Sequence, residues 1–226
     1  MSVAIDKRIK YIIVLDTETA NSLDDPLVYD LGWVVTDKRG KVYEKRSYIN
    51  YDVYARERDL MRTAYYAKKL PMYEGQIKNK ERKIVSWENL RRIFRRDMEK
   101  YNITTVCAHN AYFDLKALNT TERYITKSKW RYFFPKEIEI WDTMKMAEDV
   151  LVNSPTYRQW AEERNYWTGN RPRLTAEILY RFISCNEDFE EEHTGLADVL
   201  IEKEILAYCF RKHKKMRKGV FEKKTP

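Results

Sequence analysis

Apolar and polar positions alternate between two periods along this chain, and the changes of period mark its elements. Tyr11–Leu15 is an unbroken run of largely β-branched apolar residues that ends at acids, the pattern of a buried central strand. Val28–Thr36 (VYDLGWVVT) and Val42–Ile49 (VYEKRSYI) follow as two more strands, joined by DKRGK, whose Gly40 suits a tight hairpin turn. From Tyr51 to Tyr101 the period becomes helical. Leu60, Ala64 and Ala67 share one face, and Leu90, Phe94 and Met98 another, which predicts two helices around the polar connector GQIKNKERK, the second starting at Ser86. Thr104–Ala108 then reads as a strand and Ala111–Thr120 as a helix with Asn110 at its N-cap. Ile138–Trp141 is a short apolar run before Asp142, which caps a helix over Thr143–Val152, and TAEILYRFI and LADVLIEKEILAYCF are helical by period and length.

Strands grouped first and alternating with helices later predict an α/β fold. Its mixed central sheet is antiparallel at one edge and parallel in the centre, flanked by helices, with a helical insertion after the third strand. The 226 residues fit one domain over 1–210, with 51–101 as the insertion and 211–226 as a flexible tail. The first residues, MSVAIDKRIKY, lack the apolar stretch of a signal peptide, and no window reaches the ~18–20 apolar residues of a membrane helix. The expectation is a soluble, cytoplasmic protein without membrane partners. Cys107, Cys185 and Cys209 have neither CxxC nor Cys/His spacing and read as buried or half-buried thiols.

Net charge is +8, and its distribution matters more than its sum. The tail carries eight Lys/Arg against one acid, which leaves 35 against 34 in the rest; within that body, residues 56–100 hold fourteen basic residues against seven acidic. Basicity therefore belongs to the insertion and the tail, and the remainder is acidic. Arg91, Arg92, Arg95 and Arg96 recur at helical spacing among aromatics, a pattern that grips single-stranded nucleic acid through phosphates and stacking when it is not simply packed on the sheet.

The candidate chemistry lies in that acidic remainder. Asp16 and Glu18, in YIIVLDTET, are two residues apart on a strand and so share a face at its end. Two such carboxylates repel unless a cation lies between them, and Mg²⁺ and Mn²⁺ prefer oxygen ligands. Asp114, in HNAYFDLKAL, falls in the first turn of a helix entered from a strand, at the same end of the sheet; alone it reads first as an acid that complements the helix dipole. His193 stands just ahead of a helix and Asp198 about one turn inside it, in HTGLADV. Four carboxylates and an imidazole suit two divalent metals beside a water that attacks a phosphodiester.

In this order, DxE at 16–18, HNxxFD at 109–114 and HxxxxD at 193–198 resemble the DnaQ-like 3′→5′ exonucleases of the DEDDh class. The resemblance runs over roughly Tyr11–Phe210. It includes VYDLGWVVT, similar to that family's second strand, and WDT at 141–143, similar to its DT after a mid-sheet strand. It implies a ribonuclease H-like fold and hydrolysis at 3′ ends of single-stranded DNA or RNA with two Mg²⁺ or Mn²⁺ ions. Asp16 would bridge both metals, Glu18 and Asp198 complete one, Asp114 holds the other, and His193 is the general base. Thr17, Thr19, His109 and Asn110 would line the substrate end, with Arg91, Arg92 and Arg95 along the strand. A DNA polymerase or another replication protein is the partner such a domain implies. The rival reading is a catalytically idle nucleic-acid-binding scaffold or polymerase accessory subunit on the same fold. Two features depart from the family pattern. Ala20-Asn21-Ser22 follows DTET in place of the usual small pair, and the acidic run Glu187, Asp188, Glu190, Glu191, Glu192 precedes His193; it reads first as a solvated loop, and as a functional element it would raise the imidazole pKa by favouring the cation.

Overall fold

The computed structural model describes residues 9–224; the charged first eight residues, which entered the argument against a leader, and the last two of the tail lie outside the described residues. A six-stranded sheet organises the chain. β1 (Ile12–Ala20), β2 (Leu27–Thr36) and β3 (Val42–Asn50) form an antiparallel meander, and β4 (Lys83–Val85) joins β3 in parallel. β5 (Thr105–Ala108) and β6 (Glu139–Asp142) extend the other side of β1, each parallel to its neighbour, giving the order β4-β3-β2-β1-β5-β6. Gly40, at φ +84°, closes the β2–β3 turn with its N–H on the Asp37 carbonyl. This is the mixed sheet, part antiparallel and part parallel and flanked by helices, that the sequence predicts.

β1 divides the core by the alternation of its side chains. Ile13 and Leu15 join Trp33, Leu90, Phe94 and Leu118 beneath α4 (Trp87–Lys100) and α5 (Ala111–Thr126). Ile12 and Val14 face the other way, toward Met146 and Val150 of α6 (Thr143–Leu151) and Val199, Ile205 and Leu206 of α9 (Gly195–Arg211). Each such side chain contributes about 1.5–3 kcal/mol on burial. Between α6 and α9 the chain adds α7 (Pro155–Glu163), a two-stranded hairpin of β7 (Trp167–Thr168) and β8 (Arg171–Pro172), and α8 (Ala176–Ser184), none of the first three foreseen as separate elements. Among the described residues no helix is long and apolar enough to cross a membrane.

The insertion differs from the two helices expected. Its first half breaks into α1 (Tyr51–Tyr54), α2 (Arg58–Met61) and a 3-10 turn at Ala67–Lys69, because the Thr63 hydroxyl takes the Leu60 carbonyl at the end of α2 and accepts the Asn21 N–H from the β1–β2 loop. The expected connector is instead the end of α3 (Leu70–Lys78), and β4 begins with its last residue. Val53, Met61, Ala64 and Tyr73 bury themselves against Ala20, Leu27, Tyr29 and Ile49, so the insertion is anchored to the sheet by an apolar patch of its own. Ser86 caps α4 as expected, its hydroxyl accepting the Asn89 N–H, and Asp142 caps α6 through the Met144 N–H. Asn110 stands at the start of α5 in the left-handed region without a side-chain cap, so its predicted capping role is not what the backbone uses. Cys185 is exposed, unlike the buried Cys107 and Cys209.

The tail also departs from the flexible end expected. Lys218 and Val220 exchange backbone hydrogen bonds with Asp142 and Ile140 on the outer edge of β6, and Arg217 binds the Asp149 carboxylate at 2.8 Å. Covering an open strand edge in this way removes a site for unwanted pairing.

α9 meets the sheet at two bare glycines. A Cβ built on Gly32 of β2 would lie 2.1 Å from the Gly195 carbonyl carbon, and one on Gly195 would lie 2.6 Å from the Gly32 nitrogen. Both contacts are backbone against backbone, which cannot give way. Gly75 in α3 has nothing within 4 Å of its Cβ position. Gly32→Ala or Gly195→Ala is therefore expected to lower stability in urea titrations by at least ~1–3 kcal/mol, whereas Gly75→Ala raises it by roughly 0.5–1 kcal/mol; a Gly195→Ala chain as stable as the parent contradicts the close approach.

Candidate active site

The parallel strands β1, β5 and β6 end on the same side of the sheet, the side on which open α/β sheets present their functional groups. Asp16 and Glu18 lie near the C-terminal end of β1 on the face that α9 covers, and Asp198 sits in the first turn of α9. Each of the three offers an oxygen within 4.8 Å of the others. A register shift between Glu18 and Thr19 marks a bulge at this point in the β1–β2 ladder, a device that re-aims side chains.

Asp114 reaches the same edge from the opposite layer. Thr17, between the two acids, points to the α5 face, and its hydroxyl donates to Asp114 Oδ1 at 2.8 Å. This explains why Asp114 is buried near Asp16 without joining the tight group of Asp16, Glu18 and Asp198.

His193 is held on three sides. Its backbone, at φ +49°, donates its N–H to Asp198 Oδ1 at 3.1 Å. Its ring stacks on Tyr66 from the insertion, with centroids 4.2 Å apart and planes 14° from parallel. Nδ1 lies 3.6 Å from Glu191 Oε2, close enough to orient the ring. Lys69, one turn on from Tyr66, binds the carbonyl of Glu192. Beneath this loop, Asp30 of β2, paired with Glu18, accepts the Gly195 N–H (3.1 Å), the Tyr73 hydroxyl (2.9 Å) and the Arg82 guanidinium. One buried carboxylate thus ties β2, α3, the approach to β4 and the start of α9 together.

Burial and mutual repulsion push every carboxyl of the group upward. Asp114 rises to about 7 and Asp198 to about 8, burial first in both cases, the latter with Glu191 adding. Glu18 reaches about 9 through burial and then Asp198 and Asp30, partly offset by Lys69. Asp16 is raised well above the usual carboxylate range by burial and then by Glu202, Asp114, Glu18 and Asp198. So many carboxylates in one desolvated place call for positive charge between them. The donors are all oxygens, which fits a hard divalent cation such as Mg²⁺ or Mn²⁺. Glu191, His193 and Asp198 form a second group with metal-ligand spacing.

The imidazole behaves otherwise than the acidic run suggests. Burial and then Lys69 push His193 below its ordinary value, with Glu177 opposing. Glu191, the acid of the run nearest the ring, is itself raised to about 7 by burial and Glu177, so it is a weak counter-charge. The imidazole is therefore lowered and not raised, first because it is partly buried and then because a lysine from the insertion faces the loop.

The residues expected to touch substrate divide. Thr17 spends its hydroxyl on Asp114, and Thr19 is half-buried on β1. His109 gives Nε2–H to the Leu174 carbonyl (2.7 Å) and pairs Nδ1 with the Thr143 hydroxyl (2.9 Å), so it braces β5 against α6 and the chain before α8 instead of facing a ligand. Burial lowers its pKa accordingly. Asn110 donates its backbone N–H to Asp142 Oδ1 and leaves its side chain exposed. Arg91 is not free for a phosphate, because its guanidinium pairs with buried Glu122 of α5 at 2.7 Å, while Arg92 binds Asn89. Arg91, Arg92, Arg95 and Arg96 line one groove with Arg131 by the C-terminal end of α5; Asp114 is at the other end of that helix.

Three site residues escaped the sequence reading. Tyr66 and Lys69 reach His193 only through the fold of the insertion, and nothing in their local sequence signals it. Glu202 was legible, since it lies four residues after Asp198 on one helix face.

No family model matches the chain, and no curated protein matches its sequence. Solved structures do resemble it. Cell-death related nuclease 4 (CRN-4) is 12% identical with a TM-score of 0.57, over 92% of this chain and 66% of that one. Exonuclease X, in complex with 5′ overhanging duplex DNA, is 16% identical with a TM-score of 0.43, over 88% of this chain and 91% of that one. E. coli exonuclease I, in complex with an oligonucleotide, is 13% identical with a TM-score of 0.47, over 86% of this chain and 39% of that one. The chain therefore spans about two thirds of CRN-4 and well under half of exonuclease I. At these identities the likeness is one of fold, and it rests on CRN-4.

Proposed function

We propose that the protein is a metal-dependent 3′→5′ exonuclease that hydrolyses single-stranded DNA or RNA ends and releases nucleoside 5′-monophosphates. The observation that carries the reading is the meeting of Asp16, Glu18 and Asp198 within 4.8 Å, with Asp114 fixed by Thr17 and His193 tied to Asp198. Polarity toward 3′ ends is supported by the order of the three motifs, similar to the DEDDh class, and a nuclease activity by the fold shared with CRN-4.

Asp16, Glu18 and Asp198 would hold one divalent cation, and Asp16 with Asp114 a second. When bound, the two cations supply the positive charge that stabilises the phosphorane-like transition state and the leaving 3′ oxygen. With Nδ1 on the side of Glu191, a neutral His193 would present Nε2 to the attacking water and take its proton. The phosphorus–O3′ bond breaks as the new phosphorus–oxygen bond forms, so the phosphate leaves on the 5′ side of the released nucleotide. The Tyr66 ring keeps the imidazole in one plane and shields it from bulk water.

The direct test is digestion of end-labelled single-stranded DNA and RNA in Mg²⁺, Mn²⁺ or EDTA. Stepwise shortening from the 3′ end is expected, absent in EDTA and reduced roughly a hundredfold to a thousandfold by Asp16→Ala; no cleavage of either substrate favours the idle scaffold. The raised carboxyls make a second prediction. Groups whose folded pKa exceeds the unfolded value near 4 stabilise the fold fully below that value and lose the contribution as pH passes about 7 to 9. In EDTA the melting temperature should fall between pH 6 and pH 9, and Mg²⁺ or Mn²⁺ should restore it at the upper end; a melting temperature that rises over this range in EDTA refutes the repulsive cluster. The lowered imidazole pKa, set among Tyr66, Lys69, Glu177, Glu191 and Asp198, keeps His193 neutral to below pH 6.5. The acid limb of the pH–rate profile should therefore have its midpoint below 6.5, and a midpoint above 7 contradicts the assignment of the base.

A further inference from the structure

Glu202 is the buried acid that the five-residue site leaves unexplained. It lies one turn beyond Asp198 on the sheet-facing side of α9 and is only 3% exposed. Among the acids acting on Asp16 of β1 its charge is the strongest, and it also raises the buried Cys107 thiol on β5, whose strand partner is Val14. Its carboxylate thus lies toward the seam between β1 and β5, within the field of both Asp16 and Asp114. The backbone N–H of His109, at the end of β5, faces it and eases its charge. Oε2 has no hydrogen-bond partner among the described residues.

A buried carboxylate oxygen without a donor is expensive, and such groups in a folded protein ask for an ion or a water. Packing does not account for the choice, because an apolar residue would fill the same place on α9 without adding a fifth carboxyl to Asp16, Glu18, Asp114 and Asp198. Lys69, the cation that faces the group, acts on Glu18 and Asp198, at the other side of the cluster. The demand for a donor on the Asp16–Asp114 side is unmet by the protein's own side chains among the described residues.

We propose that Glu202 is a fifth carboxylate of the cation centre, a positioning residue that serves the divalent ion shared by Asp16 and Asp114. Its Oε2 accepts a hydrogen bond from the ion's hydration shell, since Mg²⁺ keeps several of its waters when protein carboxylates bind it. Partners of this kind typically change metal affinity by ~10–100-fold. The inference rests on the proposed two-cation site and deepens it: it assigns the two ions unequal surroundings, one flanked by Lys69 and His193, the other backed by Glu202.

Mn²⁺ binding to the intact protein, followed by electron paramagnetic resonance without nucleic acid, separates the claims. Glu202→Gln keeps the shape and removes the charge; Glu202→Met is a second variant of similar size, and cooperative melting in EDTA certifies that each is folded. The expected result is that one of the two Mn²⁺ sites weakens by ~10–100-fold while the other keeps its affinity, a split that general loosening of α9 would not produce. Parental binding at both sites in whichever variant folds, or equal weakening at both, overturns the inference. Asp16→Asn is the control for the underlying site. If it abolishes Mn²⁺ binding while Glu202→Gln binds as the parent does, only the role of Glu202 falls; if Asp16→Asn binds Mn²⁺ unchanged, the cation centre and this inference fall together.

Discussion

The backbone contact between Gly32 and Gly195 sets the distances on which the candidate site depends. α9 carries Asp198 and Glu202, and their carboxyls reach those of β1 because the helix starts against bare backbone, with a Gly195 Cβ also 3.2 Å from the Asp16 carbonyl oxygen. A side chain at either glycine would lift the helix away from the strands. Asp30 holds the approach by taking the Gly195 N–H, and by taking Tyr73 and Arg82 it makes the insertion part of the same assembly. The close contact therefore positions the acids, and the buried carboxylate beside it fixes the loop that carries His193.

That geometry concentrates negative charge in a place with little water. Thr17 and backbone groups bond Asp114, Lys69 faces Glu18 and Asp198, and burial with mutual repulsion raises all four carboxyls. Positive charge from outside the chain would relieve that repulsion. The positive charge of the chain itself lies mostly elsewhere. Arg91 is committed to Glu122 and Arg217 to Asp149, so part of the basicity counted in the sequence maintains the fold.

The acids gathered at the sheet's edge and the strands β1, β2, β3, β5 and β6 were the legible parts, for physical reasons. Asp16 and Glu18 announce themselves because a strand places residues two apart on one face, Asp114 because a strand-to-helix junction brings a first-turn acid to the sheet's edge, and Asp198 because it stands in the first turn of a helix just after His193. β2 and β3 were readable from alternation and a turn glycine. The insertion was not: its helical period was real, but Thr63 diverts the backbone and apolar contacts with Ala20, Leu27 and Ile49 decide where the pieces settle. In the tail, eight basic residues in sixteen suggest solvent, whereas its backbone finds the open edge of β6. The influence of Lys69 on His193 could not be read from either residue's neighbours, and so the acidic run pointed the imidazole pKa the wrong way.

The central claim is that carboxylates from β1, α5 and α9 form one centre for two divalent cations. Crystals grown with Mn²⁺ and a nucleoside 5′-monophosphate test it most directly through anomalous scattering. Two peaks are predicted, one among Asp16, Glu18 and Asp198 and one between Asp16 and Asp114. Fully occupied Mn²⁺ elsewhere on the protein, with no peak at these carboxylates, would contradict the account.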